Sequence, residues 1–273
     1  MSDIVLTAGV RSNLLQLQKT AELITDTQTK LATGKRINSA LDNPINFFTA
    51  QGLTNRASDL SNLLDAMSSG MSTIQAANNG ITSITKLVQS AQALVSQAQQ
   101  TTDVTVRAGL ATQFNAVLGQ INQLAGDAGF NGINLLNSTS SANLVVMLNE
   151  TGSSSVTVNA VDFTASGLTL NNANNNWATT ADIVLASTDL TNALTKLRSQ
   201  AQSFGSNLST VQIRQDFTKA MINTLQTGAD GLTLADSNEE GANLLALQTR
   251  QQLSTTALSL ASQASQAVLR LFQ

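Results

Sequence analysis

Residues 237–273 read SNEEGANLLALQTRQQLSTTALSLASQASQAVLRLFQ. The stretch opens on Ser237-Asn238-Glu239-Glu240, a capping-box pattern: a short side chain can take the first free amides, and an acid three residues on can answer it. The helix that follows carries two apolar stripes. One is Leu244, Leu247, Leu258, Ala261 and Val268. The other is Leu253, Ala257, Leu260, Ala264, Ala267 and Leu271. At the helical repeat they cover roughly 220° of the circumference, about twice the arc that a surface helix usually buries. The remaining strip, Gln248, Gln252, Thr255, Ser259, Gln263, Gln266 and Arg270, is almost uncharged. One partner helix cannot cover so wide an apolar arc. Such a terminus is expected to be poorly ordered alone and to order on assembly, because chain entropy is lost without packing to offset it.

The first helical block offers a partner. Val10, Leu14, Leu17, Ala21, Ile24 and Leu31 fall on steps of three and four, with Gln28 in the one missing position. This is a narrow heptad seam. Arg11, Lys19, Glu22, Asp26 and Lys30 lie on another face, and Gly34 is a good stop. The seam can cover one side of the last helix and leaves the other for a further surface. Helices of roughly 30 residues span roughly 45 Å, and stacked side by side they can line a tube. Periodicity alone leaves an ordinary bundle and a polymer subunit both open, and favours the bundle. The uncharged polar strip moves the balance toward the polymer.

Residues 34–43 read as an extended connection, and Lys35-Arg36 as a solvated pair after the helix stop. Asn43-Pro44 then looks like an N-cap with proline at the first helical position. A second block runs from about Pro44 to Gln99. Its rhythm of Leu60, Leu64, Met67, Met71 and Ile74 slips near Asn78–Gly80 and resumes at Ile81, Ile84, Val88, Ala91, Val95 and Ala98. A third carries Leu110, Phe114, Val117, Ile121 and Leu124. A fourth carries Leu190, Leu194, Leu197, Ala201, Phe204, Leu208 and Val211. Between them Leu144, Val146 and Leu148 alternate with other residues, as do Val156 and Val158. With Asn149–Gly152 as a turn, this predicts a β-hairpin within about residues 140–170. Asn171–Asn176 reads as an exposed loop carrying Trp177, where sugar stacking is less expected than incidental or local packing. The fold class is mainly α: a long coiled-coil-like helical bundle with paired N- and C-terminal helices and a small β-hairpin.

Composition narrows the function. With no Cys and no His in 273 residues, a Ser-His-Asp triad, a thiol nucleophile and an H-E-x-x-H zinc site are excluded. No phosphate loop appears. Glu239-Glu240 is the only adjacent acidic pair, and helix capping explains it better than glycoside chemistry. No enzyme activity and no cofactor is expected. A net charge of -3 argues against nucleic acid. Charged residues are 11%, far below the usual quarter, so Asn, Gln, Ser and Thr fill the polar positions. Such a surface suits burial against copies of itself. No long apolar run predicts a membrane span, and the start has no secretory signal pattern.

Three stretches carry a family resemblance. Lys30-Leu31-Ala32-Thr33-Gly34-Lys35-Arg36-Ile37-Asn38-Ser39-Ala40-Leu41-Asp42 resembles the N-terminal motif of bacterial flagellins: a helix end, a glycine, then R-I-N-S-A-x-D. Phe130-Asn131-Gly132-Ile133-Asn134-Leu135-Leu136 resembles their F-N-G-x-x-L-L turn. Ala257–Phe272, notably Gln263, Gln266, Val268, Leu269 and Leu271, resembles their C-terminus. The resemblance covers roughly residues 1–136 and 185–273.

It implies a subunit that self-assembles into the flagellar filament, outside the cell, after unfolded export without a cleaved signal. It implies an inner domain of residues 1–43 with 233–273. A helical second domain, 44–232, carries the hairpin, without large outer domains. The polymerisation residues are then Leu14, Leu17, Ala21, Ile24 and Leu31 with Leu244, Leu247, Leu253, Ala257, Leu258, Leu260, Ala264, Val268 and Leu271. Gly34, Arg36, Asn38, Asp42 and Pro44, with the hairpin, are expected to help set the supercoil. Implied partners are further copies, the export apparatus, a secretion chaperone, and hook-junction and cap proteins. Toll-like innate receptors bind many flagellins at the stretch matching Leu87–Gln97. Ser90, Gln92 and Ala93 stand where the recognised pattern has Arg, Arg and Glu, so weak binding is expected although Gln89, Leu94 and Gln97 match. Two other readings are the hook–filament junction protein and a soluble secreted helical binding module. Flagellins with a peptidase zinc motif are not a model for this chain.

Overall fold

The computed structural model describes residues 8–138 and 143–271. Five helices dominate: α1 (Ala8–Thr33), α2 (Pro44–Gln100), α3 (Val104–Asp127), α4 (Thr180–Thr233) and α5 (Ser237–Leu271). Between α3 and α4 lie two small antiparallel hairpins, β1 (Gly129–Phe130) with β2 (Ile133–Asn134) and β3 (Leu144–Met147) with β4 (Ser155–Val158). The described residues of Met1–Asn55 and Thr224–Gln273 form one compact unit, and those of Arg56–Asn223 another. These units divide inside α2 and α4, whereas the sequence reading places domain limits at the helix breaks.

In the Arg56–Asn223 unit, α2 presents Met67, Ile74, Ala77, Ile81, Ile84, Val88, Ala91, Val95 and Ala98 to a core shared with α3 and α4, all of them buried. The three–four rhythm does not break at Asn78–Gly80. Ala77 fills the seam, and the shift arises one turn earlier as two successive steps of three, Met71–Ile74–Ala77. Alanine is too small to mark a seam by hydropathy alone, which is why the pattern reads as broken further on. Gly80 has its own reason. A Cβ there would stand 2.6 Å from the Leu136 side chain and 2.7 Å from that of Ala128. Only glycine lets the first hairpin pack this close to α2.

The F-N-G stretch is that first hairpin. Asn131 (φ 49°) and Gly132 (φ 79°) make its two-residue loop, the left-handed pair that a tight hairpin needs. The second hairpin pairs Leu144 with Val158 and Val146 with Val156. Leu144, Val146, Leu148 and Val158 are buried, and Val145 and Met147 face outward. The tip turns at Asn149–Gly152, where the Gly152 amide donates to Asn149 O at 3.2 Å and Gly152 has φ 70°.

Residues 159–178 are irregular apart from a short 3-10 turn at Asn174–Trp177, and they send several apolar side chains inward. Phe163, Ala165, Leu168, Leu170 and Trp177 all join the core. Two asparagines seven residues apart on α3 hold this segment: Asn122 Oδ1 accepts from the Ala165 amide at 2.7 Å and Asn115 Oδ1 from that of Ala173 at 2.8 Å. The asparagines of 171–176 are exposed, as the sequence suggests, but Trp177 at the end of that loop turns inward. It is fully buried against Phe114, with ring centroids 5.0 Å apart. Asn175, Asn176 and Trp177 all have positive φ. Asparagine tolerates that conformation, and burial of the indole offsets the strain at the third position.

Arg107 occupies a core position of α3. It is buried, and its Nε donates to Ala98 O at 3.2 Å and Thr101 O at 2.8 Å. A cation thus caps the carbonyl end of α2, where the helix dipole is negative.

Candidate assembly interface

α1 and α5 pack side by side. Along α5 the half-buried positions Glu240, Leu244, Leu247, Gln251, Ser254, Leu258 and Ala261 alternate steps of four and three, with Gly241 half-buried beside the first. This is the first apolar stripe with two polar residues set into it. The second stripe faces outward: Leu253 is 67% exposed, Leu260 is 61% exposed, and Ala257, Ala264 and Ala267 are exposed. The side chains of Val268 and Leu271 lie outside those described.

On α1, Leu17, Ala21, Ile24 and Leu31 are half-buried, while Leu14 is 39% exposed. The fully buried positions are Thr20 and Thr27. With Asn13, Leu17, Ile24, Leu31 and Gly34 they form a heptad register that shares every second residue with the apolar one. Hydropathy cannot find threonines in a seam. Thr20 is tolerated there because its hydroxyl donates to Gln16 O one turn back, at 2.8 Å. Leu15, 65% exposed, adds to the apolar surface of α1, while Leu23 lines the groove between α1 and α5.

One flank of the pair is charged. Lys30 Nζ sits 2.8 Å from Asp26 Oδ2, in a groove that Glu240 and Arg250 also line. The Asp26 hydrogen bond and nearby carboxylates raise the Lys30 ammonium above its ordinary value.

The connection after α1 is a structured turn rather than an extended run. Gly34 takes the left-handed conformation (φ 67°) that ends the helix. Lys35 then bridges antiparallel to Leu234, with Arg36 N donating to Thr233 O at 2.8 Å and Ala235 N to Gly34 O at 3.0 Å. Arg36 is not merely solvated: Nη2 donates to Leu232 O at 3.2 Å, in the last turn of α4. Asn38 Nδ2 closes back on Lys35 O at 2.9 Å. Asp42 Oδ2 accepts from the Asn38 and Ser39 amides, both at 2.8 Å. Those two amides hold the Asp42 carboxyl below its ordinary range. Asn43 caps α2, its Oδ1 accepting from the Asn46 amide at 3.0 Å, with Pro44 at the first helical position. At α5 the cap is Asp236, one residue before the serine that the sequence suggests. Its Oδ1 accepts from the amides of Asn238 at 2.8 Å and Glu239 at 3.3 Å.

No helix among the described residues is long and apolar enough to cross a membrane. What this unit offers instead is a helix pair with apolar surface on its outer sides, fastened to a rigid turn. That is the equipment of a self-associating structural subunit.

The chain belongs to the bacterial flagellin family, whose N-terminal helical region matches residues 7–141 and whose C-terminal helical region matches residues 187–272. It is a structural protein, a subunit of the flagellar filament that polymerises with its own copies outside the cell. Flagellin FljM of Caulobacter vibrioides is 30% identical, covering 100% of this chain and 99% of that one. A flagellin of Brucella melitensis is 28% identical over the full length of both. The crystal structure of Bacillus cereus flagellin aligns with a TM-score of 0.49 and 22% identity, over 55% of this chain and 86% of that one.

Proposed function

We propose that the outer stripe of α5, with Leu14 and Leu15 of α1, is the surface through which the terminal helices join neighbouring copies in the filament. The observation that carries this reading is the division of labour on α5. One stripe packs on α1, and the other leaves Leu253 and Leu260 more than half exposed. Chain entropy opposes order in such a pair until a further apolar surface arrives. Residues 1–43 and 233–273 act as the filament's inner domain, and 44–232 as the second domain. Gly34, Arg36, Asn38, Asp42 and Pro44 fix the angle at which the chain enters α2. With the β3–β4 hairpin they influence the supercoil.

Purified monomer mixed with sheared filament fragments, followed by electron microscopy, tests this. Filaments should elongate from the seeds, and α1 and α5 should gain protection from protease as they do. Both helices already fully protected in dilute monomer, with no growth from seeds, would defeat the reading.

The export apparatus, a secretion chaperone, and hook-junction and cap proteins are proposed partners on the family likeness alone. Weak binding to Toll-like receptors is proposed on the chemistry of α2. Gln89, Ser90 and Ala93 are exposed and uncharged there, and Gln92 is half-buried. Reporter cells are expected to respond weakly, and full potency would overturn this.

A further inference from the structure

The entry into α2 displays an apolar stripe that no other described residue covers. Leu41 is 96% exposed, Ile45 77% and Phe48 64%. Together they present on the order of 500 Å², a patch size that on a monomer is often functional. The patch is held rigidly. Leu41 belongs to the turn that Asp42 locks through the Asn38 and Ser39 amides. The half-buried Phe47 ring stands edge-on to Phe48, with centroids 5.5 Å apart, and braces it. Little ordering cost remains for a partner that docks here.

Gly52 comes one helical turn after Phe48. Glycine is unfavourable in a helix interior, and a Cβ at this position would meet nothing within 4 Å in the subunit. Glycine here leaves the helix surface beside Phe48 without a side chain. Between Ile37 and Asn55 the single charged residue is Asp42, and its carboxylate is engaged in the turn. A neutral, apolar patch does not suit an anionic polymer or a lipid headgroup. It does suit a surface as poor in charge as the chain's own. A filament also needs contacts that do not close on themselves, so each subunit must offer at least two different complementary faces.

We propose that the Leu41–Ile45–Phe48 stripe is a subunit contact, buried against a different face of a second copy and separate from the terminal-helix contact. The proposal rests on the filament-subunit reading above.

The chain has no cysteine, so single thiols report cleanly. Ile45→Cys and Phe48→Cys chains are prepared as monomers and also doped sparsely into wild-type filaments. Maleimide labelling at both positions should be rapid in monomer and lost in filaments. Filaments made only of the Ile45→Cys chain should form no disulfide on oxidation, because unlike faces meet. The double variant Ile45→Ser/Phe48→Ser should raise the critical concentration for assembly by roughly tenfold or more, with its thermal unfolding as monomer unchanged. Equal labelling of monomer and filament, or an unchanged critical concentration, overturns the contact. A 45–45 disulfide overturns the unlike-face arrangement. Failure of the wild-type chain to grow from seeds would instead sink the filament reading.

Discussion

Asp42 does its work through two amides. Its carboxylate accepts from Asn38 and Ser39 and its pKa is depressed for that reason. A depressed folded-state value means that the stabilisation is present at neutral pH. It is lost as pH falls through the ordinary aspartate range and below it, down through the folded value. Amide exchange at Asn38 and Ser39 should therefore accelerate on acidification beyond the intrinsic trend. In Asp42→Asn that extra acceleration should be absent. Arg107 makes a different residue-scale prediction. Arg107→Met keeps the bulk but leaves the Ala98 and Thr101 carbonyls without their donor. It is expected to cost about 1–3 kcal/mol of unfolding free energy, read by denaturant titration. Neither residue announces itself by hydropathy. The R-I-N-S-A-x-D resemblance points to Asp42, whereas Arg107 is a lone cation in an apolar repeat and has no sequence signal of its own.

At the scale of the element, α5 separates folding from assembly. Leu253→Gln with Leu260→Gln alters only exposed side chains, so monomer stability should change by no more than about 0.5 kcal/mol. Seeded elongation should be sharply reduced. Leu247→Gln strikes the half-buried stripe against α1 and should loosen that helix pair in the monomer, read by loss of helical circular dichroism. If all three substitutions affected monomer and elongation alike, the division of α5 into two faces would be wrong. That division was legible from the sequence because the apolar residues themselves trace it. The seam on α1 was legible only at every other step, since Thr20 and Thr27 occupy the rest. Residues 159–178 were hardly legible at all. They owe their order to Asn115 and Asn122, which hold backbone amides from another element, and no local period records such a bond.

The whole molecule is read most easily where its helices are long. Fold class, helix order and the β3–β4 hairpin all follow from repeats sustained over many residues. The weak points of that reading are junctions: the turn at residues 34–43, the cap of α5 and the setting of Trp177. At each of them one hydrogen bond or one buried ring decides the conformation, and periodicity says nothing. Family membership fills part of that gap, because the junction after α1 carries the most specific motif in the chain.

Among the described residues there are only three ion pairs, one within α1, one within α4 and one between Arg56 and Glu150. With charged residues at only 11% of the chain, contacts between copies also give dissolved salt little to screen. A propeller cemented by oily and amide contacts should keep its cohesion from fresh water to brine, and counterion-sensitive swelling is not expected. Its vulnerability lies on another axis. Water releases greasy surface less willingly in the cold, so filament mass measured by sedimentation should decline on chilling at fixed ionic strength, while a shift from 20 mM to 500 mM sodium chloride, each roughly chosen to bracket the screening length, leaves it nearly constant.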